Sequence, residues 1–264
     1  VVKVHVHTMT PGTVLDYCQQ YGEFLTLKIE NMTLQHNETV ISNRFDEKRE
    51  DKKSAEKKPY ALVTTASGEG IKQTFTELGA DYVIYGGQTN NPSTEDFISA
   101  FDEVNAKTIF VLPNNKNIIL AANQAASLVE DKKIIVIPTK TIPQGITALI
   151  NYIPDSTPED NEQRMSSEIS MVKTGQVTYA VRDTVIDDKE IKQDDFMGIG
   201  DSGILSVGQN LEPTVMDMMK QLVDEDSAIV SIYYGEDTKE EDANALGEKI
   251  GEAFPDVEIE VHYG

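Results

Sequence analysis

Short apolar runs alternate with amphipathic stretches from Pro59 onward. The apolar runs are rich in Val, Ile and Leu and show no polar alternation, which is typical of parallel strands covered on both faces. Residues 59–154 are therefore predicted to form a doubly wound parallel α/β lobe. The predicted elements are strands Ala61–Ser67, Tyr82–Gly87, Ile109–Pro113 and Ile134–Pro138, and helices Gly68–Leu78, Ser93–Val104, Asn117–Val129 and Pro143–Tyr152.

A different pattern begins after Pro154. A polar helix over Pro158–Met171 leads into runs that alternate and carry glycine, which favours antiparallel strands. Residues 155–264 are predicted to form an α+β lobe with a mixed sheet, so that the two lobes make one α/β domain. The other elements predicted there are strands Val177–Asp187 and Gly198–Gly208, helix Pro213–Val223, strand Ala228–Gly235, helix Lys239–Phe254 and strand Val257–Gly264.

The pattern of apolar and polar positions in the first 42 residues predicts a strand, a helix over Thr13–Tyr21 and a second strand over Phe24–Met32. A unit this small cannot hold a core of its own, so we expect residues 1–42 to be the end of a domain whose earlier part lies outside the chain. Most of residues 43–58 are charged, and the segment is predicted to be a linker. The final strand resembles a sheet edge, which suggests that further residues follow it.

Charge is distributed unevenly along the chain. The chain has 45 acidic and 23 basic residues, a net charge of −22, of which 27 acidic and 8 basic residues lie in residues 155–264. We call residues 155–264 the acidic lobe. A surface this negative repels phosphate backbones and anionic lipids, so neither nucleic acid nor a membrane is an expected partner. Two interpretations stay open: the charge serves solubility alone, or it forms a docking face for a basic protein surface.

Three features that the sequence lacks predict the cellular compartment of the protein. Cys18 is the single cysteine and cannot form an internal disulfide. No apolar run approaches the length of a membrane span, and the start of the chain lacks the layout of a secretory signal. A cytoplasmic location is therefore expected.

Three polar loops follow predicted strands of the first lobe, at residues 86–93, 113–117 and 138–145. In open α/β sheets, ligands bind outside the carboxyl ends of the strands, and helix N-termini there favour anions. The loops are predicted to converge on a carboxylate or another small anion. The alternative is that their Asn, Thr and Ser residues only form caps and turns. The candidate ligand-binding residues are Thr89, Asn90, Ser93, Asn114, Asn115, Thr139, Thr141 and Gly145.

Motifs for nucleotide binding or nucleophilic catalysis are missing from the sequence. Neither GxxxxGK[ST] nor GxGxxG occurs between a strand and a helix, and Ser202 in GDSG is predicted to be a hairpin residue. His5 and His7 project from one face of a predicted strand, where two imidazoles could share a metal with a third ligand. The alternative is that His5 and His7 are two partly exposed histidines that bind no metal.

Several strings of this sequence resemble one family in order. They are KVHVHTMTPGTVLDYCQQYGEFLTLKIENMTLQH, ALVTTASGEG, YGGQTNNPSTEDF, LPNNKN and PTKTIPQGI. Across practically the whole chain they are similar to the ATP-binding subunit of bacterial fatty acid kinase, the DAK2-domain or YloV-like family. The resemblance implies a piece of a cytoplasmic transferase of phospholipid metabolism.

The resemblance also implies which domains are present. A dihydroxyacetone-kinase-like (DhaL-like) domain that holds ATP and magnesium would lie outside this chain, so the chain alone is expected to be inactive and to carry no catalytic residue. Residues 1–42 would end a middle domain. Residues 59–264 would resemble the DegV-type fatty-acid-binding proteins, with a parallel α/β lobe at 59–154 and an α+β lobe at 155–264.

Two sets of site residues follow from the family. Its middle domain holds zinc with a Cys and an HxH strand; His5 and His7 match the histidines, whereas the Cys lies upstream of this chain. In DegV-type carriers the loop after the second strand contacts the acyl carboxylate, and Thr89, Asn90 and Ser93 occupy the matching place. Thr89 and Ser93 are the strongest candidates.

Three functions are weighed on these grounds. The first is a module that docks a DegV-type fatty-acid-binding protein, with a homodimer as a further assembly to consider. The second is a fatty-acid or small-anion binding protein whose apolar cleft walls come from the strands of the first lobe. The third, an independent enzyme, depends on the incomplete His5 and His7 pair alone.

Overall fold

The computed structural model describes residues 8, 10–23, 57–87, 91–186 and 189–264. The chain divides into two compact units, Val1–Glu56 and Lys57–Gly264. Helix α1 (Pro11–Gln19) is the element described in the first unit. Proline at its first position explains why it begins before the predicted Thr13, since proline has the dihedral angle and the missing N–H that a first helical residue tolerates. The two strands predicted in this unit lie outside the described residues.

Four parallel strands form the sheet of the first lobe. Their order is β2-β1-β3-β4, so β2 lies on one side of β1, and β3 and β4 lie on the other side. The strands are β1 (Lys58–Ala66), β2 (Tyr82–Tyr85), β3 (Ala106–Leu112) and β4 (Lys133–Val136). Because helices cover both faces of this sheet, the predicted doubly wound parallel lobe is confirmed.

Two separate cores lie on the two faces of this sheet. One contains Phe97 and Phe101, and the other contains Phe75 and Phe110, all four fully buried. Two helices cover the first core and three cover the second. They are α2 (Glu69–Glu77), α3 (Thr94–Glu103), α4 (Ile119–Leu128), α5 (Ile142–Ile150) and α6 (Pro158–Met171).

Helix α6 belongs to the acidic lobe by sequence, yet it packs on the sheet of the first lobe. Its Met165 and Ile169 are buried in the core that contains Phe110. Thr157 caps its first turn by accepting a hydrogen bond from the Asp160 amide at 3.1 Å. The sequence predicts this helix but does not say which sheet it covers.

Tyr152 follows α5 and packs its ring edge-on against Phe110 and Tyr60, with centroids 5.7 and 6.3 Å away. Burial raises the pKa of Tyr152 to about 12, and Tyr60, Asp81 and Asp155 add to the effect. The folded state therefore holds this proton more tightly than the unfolded chain, in which a tyrosine titrates near 10. The resulting stability is present below pH 10 and is lost as the pH rises from 10 towards 12.

Tyr152→Phe should therefore flatten the decline of the unfolding free energy over that range. Urea unfolding followed by circular dichroism at several pH values measures the slope. Burial also raises the pKa of Tyr233, so a smaller decline should remain. An identical decline in the parent and in Tyr152→Phe would contradict the assignment.

The acidic lobe combines antiparallel and parallel strands. A three-stranded antiparallel sheet has the order β5-β8-β9, β6 and β7 form a separate hairpin, and β10 and β11 form a parallel pair. The strands are β5 (Gln176–Tyr179), β6 (Thr184–Ile186), β7 (Lys189–Ile191), β8 (Phe196–Gly200), β9 (Gly203–Gly208), β10 (Ile229–Tyr234) and β11 (Glu258–Tyr263). Helices α7 (Leu211–Leu222) and α8 (Glu240–Ala253) share the third core of the chain.

The strand predicted over Val177–Asp187 is two strands, and β7 was not predicted. The chain bends at Val181 and Arg182, directly after Ala180, which is buried; its amide donates to the Asp195 carbonyl at 2.9 Å and its carbonyl accepts from the Asp194 amide at 2.8 Å. Ala180 is thus paired with Asp195 in register with Tyr179 and Phe196, and the bend after it separates β5 from β6. Ser202 lies in the tight turn between β8 and β9, as predicted for GDSG.

The first lobe and β11 meet at two glycines. A Cβ on Gly68 would lie 3.0 Å from the carbonyl carbon of Gly264, and one on Gly70 would overlap the main chain of Tyr263. Tyr233 on β10 also packs against the core that contains Phe110. The absence of side chains at Gly68 and Gly70 lets the start of α2 approach β11 directly.

Within the described ranges, no helix combines the length and the apolar character needed to cross a membrane.

Candidate functional site at the switch point

The switch point is the place where the chain reverses direction across the first sheet, at the carboxyl ends of β1 and β3. Folds of this kind bind ligands there because the loops after the two strands diverge and leave a crevice. Thr64 and Thr65 end β1 here and are buried. The Thr64 hydroxyl donates to the Leu112 carbonyl oxygen at 3.3 Å, and the Thr65 hydroxyl donates to that of Pro113.

Asn114 joins three elements at the switch point. Its side-chain Nδ2 donates to Thr64 Oγ1 and to the Thr65 carbonyl oxygen, both at 2.8 Å. Its backbone N–H donates to Thr139 Oγ1 at 2.9 Å. With φ of 57°, Asn114 lies in the left-handed region, which asparagine adopts more readily than most residues. We call these contacts the Asn114 bridge.

The remaining atom of that amide, Asn114 Oδ1, is buried and has no hydrogen-bond partner among the described residues. It faces Gly145 of α5 so closely that a Cβ there would lie 2.6 Å from Asn114 Cγ and even nearer to Oδ1. Gly145 therefore provides the space that the Asn114 bridge needs.

The loop after β2 meets the loop after β3 through their asparagines. Asn115 Nδ2 donates to Asn91 Oδ1 at 3.3 Å, and Asn115 Oδ1 accepts from the Asn117 amide at 2.9 Å. Ser93 caps α3 as the sequence predicts, since its hydroxyl accepts from the Asp96 amide at 3.2 Å and its own amide donates to Asp96 Oδ2 at 2.7 Å. Ser93 is exposed and serves this cap.

The loop before α5 connects the first lobe to the acidic lobe. Thr141 is the N-cap of α5 and accepts from the Gln144 amide at 3.4 Å. Its hydroxyl also lies 2.9 Å from that of Thr174, whose amide donates to Asp201 Oδ2 at 3.4 Å. A chain of polar contacts thus runs from the switch point to the β8–β9 turn.

The structure brings together five of the predicted site residues: Asn114, Asn115, Thr139, Thr141 and Gly145. Ser93 belongs to the neighbouring loop and acts as a helix cap. Thr89 and Asn90, and the histidines His5 and His7, lie outside the described residues. The binding roles of all these residues stay predictions, as does zinc at the histidine pair. Within the described parts of the chain, no three His, Cys, Asp or Glu side chains group closely enough to hold a metal ion.

Sequence reasoning missed Thr64 and Thr65. Both lie in an apolar run and resemble ordinary strand residues until β3 is paired with β1. The one signal was the threonine pair at the end of that run, directly before a polar loop.

The described part of the switch point is filled by its own side chains. The Thr64 and Thr65 hydroxyls donate to backbone carbonyls, Thr139 Oγ1 accepts from the Asn114 amide, and Asn114 Nδ2 donates to Thr64 and to the Thr65 carbonyl. The two best-defined hollows among the described residues lie elsewhere. One, of about 510 Å³, lies between β7 and β9, and the other, of about 410 Å³, lies among the lysines that begin β1, β3 and β4.

Comparison with known proteins places this arrangement in a family. The model of the FakA-like C-terminal domain of fatty acid kinase matches residues 61–264, and the model of the FakA-like middle domain matches residues 1–39. Among structures, the Streptococcus pneumoniae Fatty Acid Kinase (Fak) B3 protein loaded with linoleic acid matches 78% of this chain and 92% of its own. Its sequence identity is 14% and its TM-score is 0.49.

Curated relatives match the chain from end to end. Protein YloV of Bacillus subtilis is 48% identical over 262 residues, which are 99% of this chain and 47% of YloV. An uncharacterized protein of Staphylococcus haemolyticus is 43% identical over 264 residues, 100% of this chain and 48% of its own. The chain therefore spans about half the length of these relatives. Because the middle-domain model and the C-terminal-domain model both match, in that order along the sequence, this chain belongs to the FakA-like family of fatty acid kinase proteins.

Proposed function

We propose that this chain is the docking module of a fatty-acid-kinase-type protein. In this role it binds a protein that carries a fatty acid, while a nucleotide-binding region outside the chain transfers the γ-phosphoryl group of ATP to the acyl carboxylate oxygen. The products of that step are the acyl phosphate and ADP. ATP and magnesium belong to that other region, and the residues of this chain position the partner.

The engaged donors in the described part of the switch point are the observation that carries this proposal. A site for a fatty acid carboxylate needs hydrogen-bond donors that are free to turn towards it. At this switch point the Thr64 and Thr65 hydroxyls and both described donors of Asn114 are engaged within the protein. The strands of the first lobe are also covered by helices on both faces. These contacts support docking over an acyl site of the chain's own.

Uncompensated negative charge supports a basic partner. In the acidic lobe, Lys173, Lys220 and Lys249 are paired with Asp224, Asp217 and Glu212, and the lobe retains a large excess of carboxylates. Like charges on one surface raise the local potential and attract a surface of opposite sign. Such attraction accelerates association and weakens as salt is added.

The test is binding of this chain to the S. pneumoniae Fak B3 protein loaded with linoleic acid, measured by calorimetry. We expect association at about 50 mM salt and an affinity at least about tenfold lower at about 500 mM, because screening shortens the reach of exposed charges. Absence of association at the lower salt concentration would overturn the proposal.

Native mass spectrometry of the chain purified from cells tests the alternative, a fatty-acid or small-anion binding protein in its own right. Docking alone predicts a mass that equals that of the polypeptide. An acyl chain retained in a fixed ratio would instead favour the alternative.

A further inference from the structure

Helix α4 has a solvent-exposed face that carries no charge. Its sequence, ILAANQAASL, contains no acidic or basic residue. Of the described helices, α5 alone shares this property, and α5 is largely withdrawn from solvent. Surface helices normally carry charged residues on the side that faces water. The exposed face of α4 is therefore unusual, the more so in a chain whose net charge is −22.

Three exposed side chains form one continuous stripe along this face. Leu120 is 68% exposed, Leu128 is 65% exposed, and Gln124 between them is exposed as well. Residues four apart on a helix are direct neighbours, with Cβ atoms about 5–6 Å apart, so the helix itself makes these three residues contiguous. Gln124 Oε1 accepts from the Thr94 hydroxyl of α3 at 3.3 Å. We call Leu120, Gln124 and Leu128 the α4 stripe.

The α4 stripe is the same in both directions from its centre. Leu120 precedes Gln124 by four residues, and Leu128 follows it by four. A two-fold axis through Gln124 would therefore place a second α4 antiparallel to the first, with each Leu120 against the Leu128 of the other copy. A contact between two copies related by a two-fold axis requires such a self-complementary surface, whereas an unrelated partner does not.

Charges at the two ends of α4 favour the same antiparallel arrangement. Lys116 precedes the helix, where the positive end of the helix dipole repels a cation, and Glu130 follows it, where the negative end repels an anion. Within the described residues, neither side chain has an ion-pair partner. In an antiparallel pair, Glu130 of each copy comes beside Lys116 and the start of α4 in the other copy. Two placements that are unfavourable within one copy thus become favourable between two.

Other charged side chains near α4 do not oppose this contact. Those just after the helix are engaged within their own copy: Asp131 with Lys57, Lys132 with the carbonyl oxygens of Phe101 and Val104, and Lys133 with Glu159. Helix α3, which carries exposed carboxylates at Glu95, Asp96 and Asp102, packs beside α4 on the same face of the sheet. The two-fold axis places the α3 helices of the two copies on opposite sides of the helix pair, so these carboxylates do not face one another.

The lobe that contains α4 is also the one through which two copies can approach. Residues 59–154 contain 9 acidic and 6 basic residues, whereas residues 155–264 contain 27 and 8. Two acidic lobes brought together would repel each other, since like charges on both surfaces oppose association. The nearly balanced first lobe carries no such penalty.

We infer that the α4 stripe is a self-association surface, on which a second copy of this chain packs antiparallel with Leu120 against Leu128 and Lys116 beside Glu130. The inference does not depend on the docking function, and the dimer leaves the acidic lobe of each copy free for a partner. A helix of ten residues is about 15 Å long, so the contact is smaller than a standard interface. The dimer is therefore weak, with a Kd on the order of 10–100 μM.

Sedimentation velocity of the chain from about 5 to about 500 μM tests the inference, because this range brackets the expected Kd. The average mass of the parent should rise from that of a monomer towards that of a dimer. Leu120→Gln/Leu128→Gln removes the apolar part of the stripe, changes no charge and should raise the Kd about tenfold or more. Ile150→Gln/Met171→Gln is the matched control, since these side chains are 64% and 72% exposed on other helices. This control should associate like the parent.

Two further variants test the antiparallel register. Lys116→Glu should weaken the dimer, and Lys116→Glu/Glu130→Lys should restore it, because the ion pair forms again with its signs exchanged. In a Cys18→Ser background, which removes the single native cysteine, Gln124→Cys should give a disulfide-linked dimer under mild oxidation. A residue on the two-fold axis meets its own copy, whereas Ser99→Cys, exposed on α3, should not cross-link at the same concentration.

The contrary outcomes are distinct. A parent that stays monomeric up to about 500 μM would overturn the inference. So would a dimer that Leu120→Gln/Leu128→Gln leaves equally strong with an unchanged circular dichroism spectrum, because the copies would then meet elsewhere. If the parent is monomeric and the leucine variant loses binding to the linoleate-loaded S. pneumoniae Fak B3 protein, the stripe seats that partner. That result would overturn the inference and leave the docking function standing.

Discussion

Gly145→Ala should destabilise the protein by about 3 kcal/mol, although alanine is the better helix former by about 1 kcal/mol. Gly145 lies inside α5, and a Cβ there would overlap the Asn114 amide. Asn114 cannot turn away without breaking its bonds to Thr64 and Thr65, which would leave buried polar groups without partners. Urea unfolding followed by circular dichroism measures the change, since the chain has no tryptophan.

The control for helix propensity is Gly251→Ala in α8, where a Cβ would meet Ile259 at an ordinary 3.4 Å. This variant should be neutral or stabilised by up to about 1 kcal/mol. Asn114→Ala should itself be destabilised, and in that background Gly145→Ala should cost far less, because the clashing amide is gone. A stabilised Gly145→Ala single variant would show that Asn114 does not occupy this space.

Gly70→Ala should cost about 2–3 kcal/mol for a different reason, the separation of α2 from β11. A Cβ on Gly70 would lie 2.9 Å from the Tyr263 carbonyl carbon and 2.8 Å from Tyr263 Cδ1. Main-chain atoms of a paired strand cannot rotate out of the way as a side chain can. Either the start of α2 or the end of β11 must therefore move.

Hydrogen exchange locates that movement. In Gly70→Ala the amides of β10 and β11 should exchange faster than in the parent, whereas those of β3, buried at the centre of the first sheet, should change little. Gly251→Ala again serves as the control for helix propensity. Unchanged exchange in β11 together with unchanged stability would contradict the close contact.

Patterns within a few residues of one another predicted the local features well. The capping box at Ser93 and Asp96 can be predicted from the sequence, because the groups that form it are three residues apart. Helix α6 was predicted as a polar helix with the observed bounds, Pro158–Met171. The convergence of loops 113–117 and 138–145 followed from a general rule about parallel sheets rather than from the loops themselves.

Features that depend on distant partners were not predictable. The end of β5 at Tyr179 and the burial of Ala180 depend on pairing with Asp194 and Asp195, fourteen and fifteen residues later. Thr64 resembles a core strand residue until Asn114, fifty residues later, is placed beside it. The burial of Met165 in the first lobe likewise depends on which sheet α6 reaches.

By itself, the order of apolar and polar residues determined that this protein is an α/β chain with a parallel sheet, polar loops at the carboxyl ends of its strands and a strongly acidic second lobe. Those properties depend on neighbours in the chain and on composition, which the sequence contains in full. Only the tertiary structure decided that Asn114 fills the switch point and that Leu120 and Leu128 face solvent. Each of these depends on where a distant backbone lies, and that position is set by the packing of the whole unit.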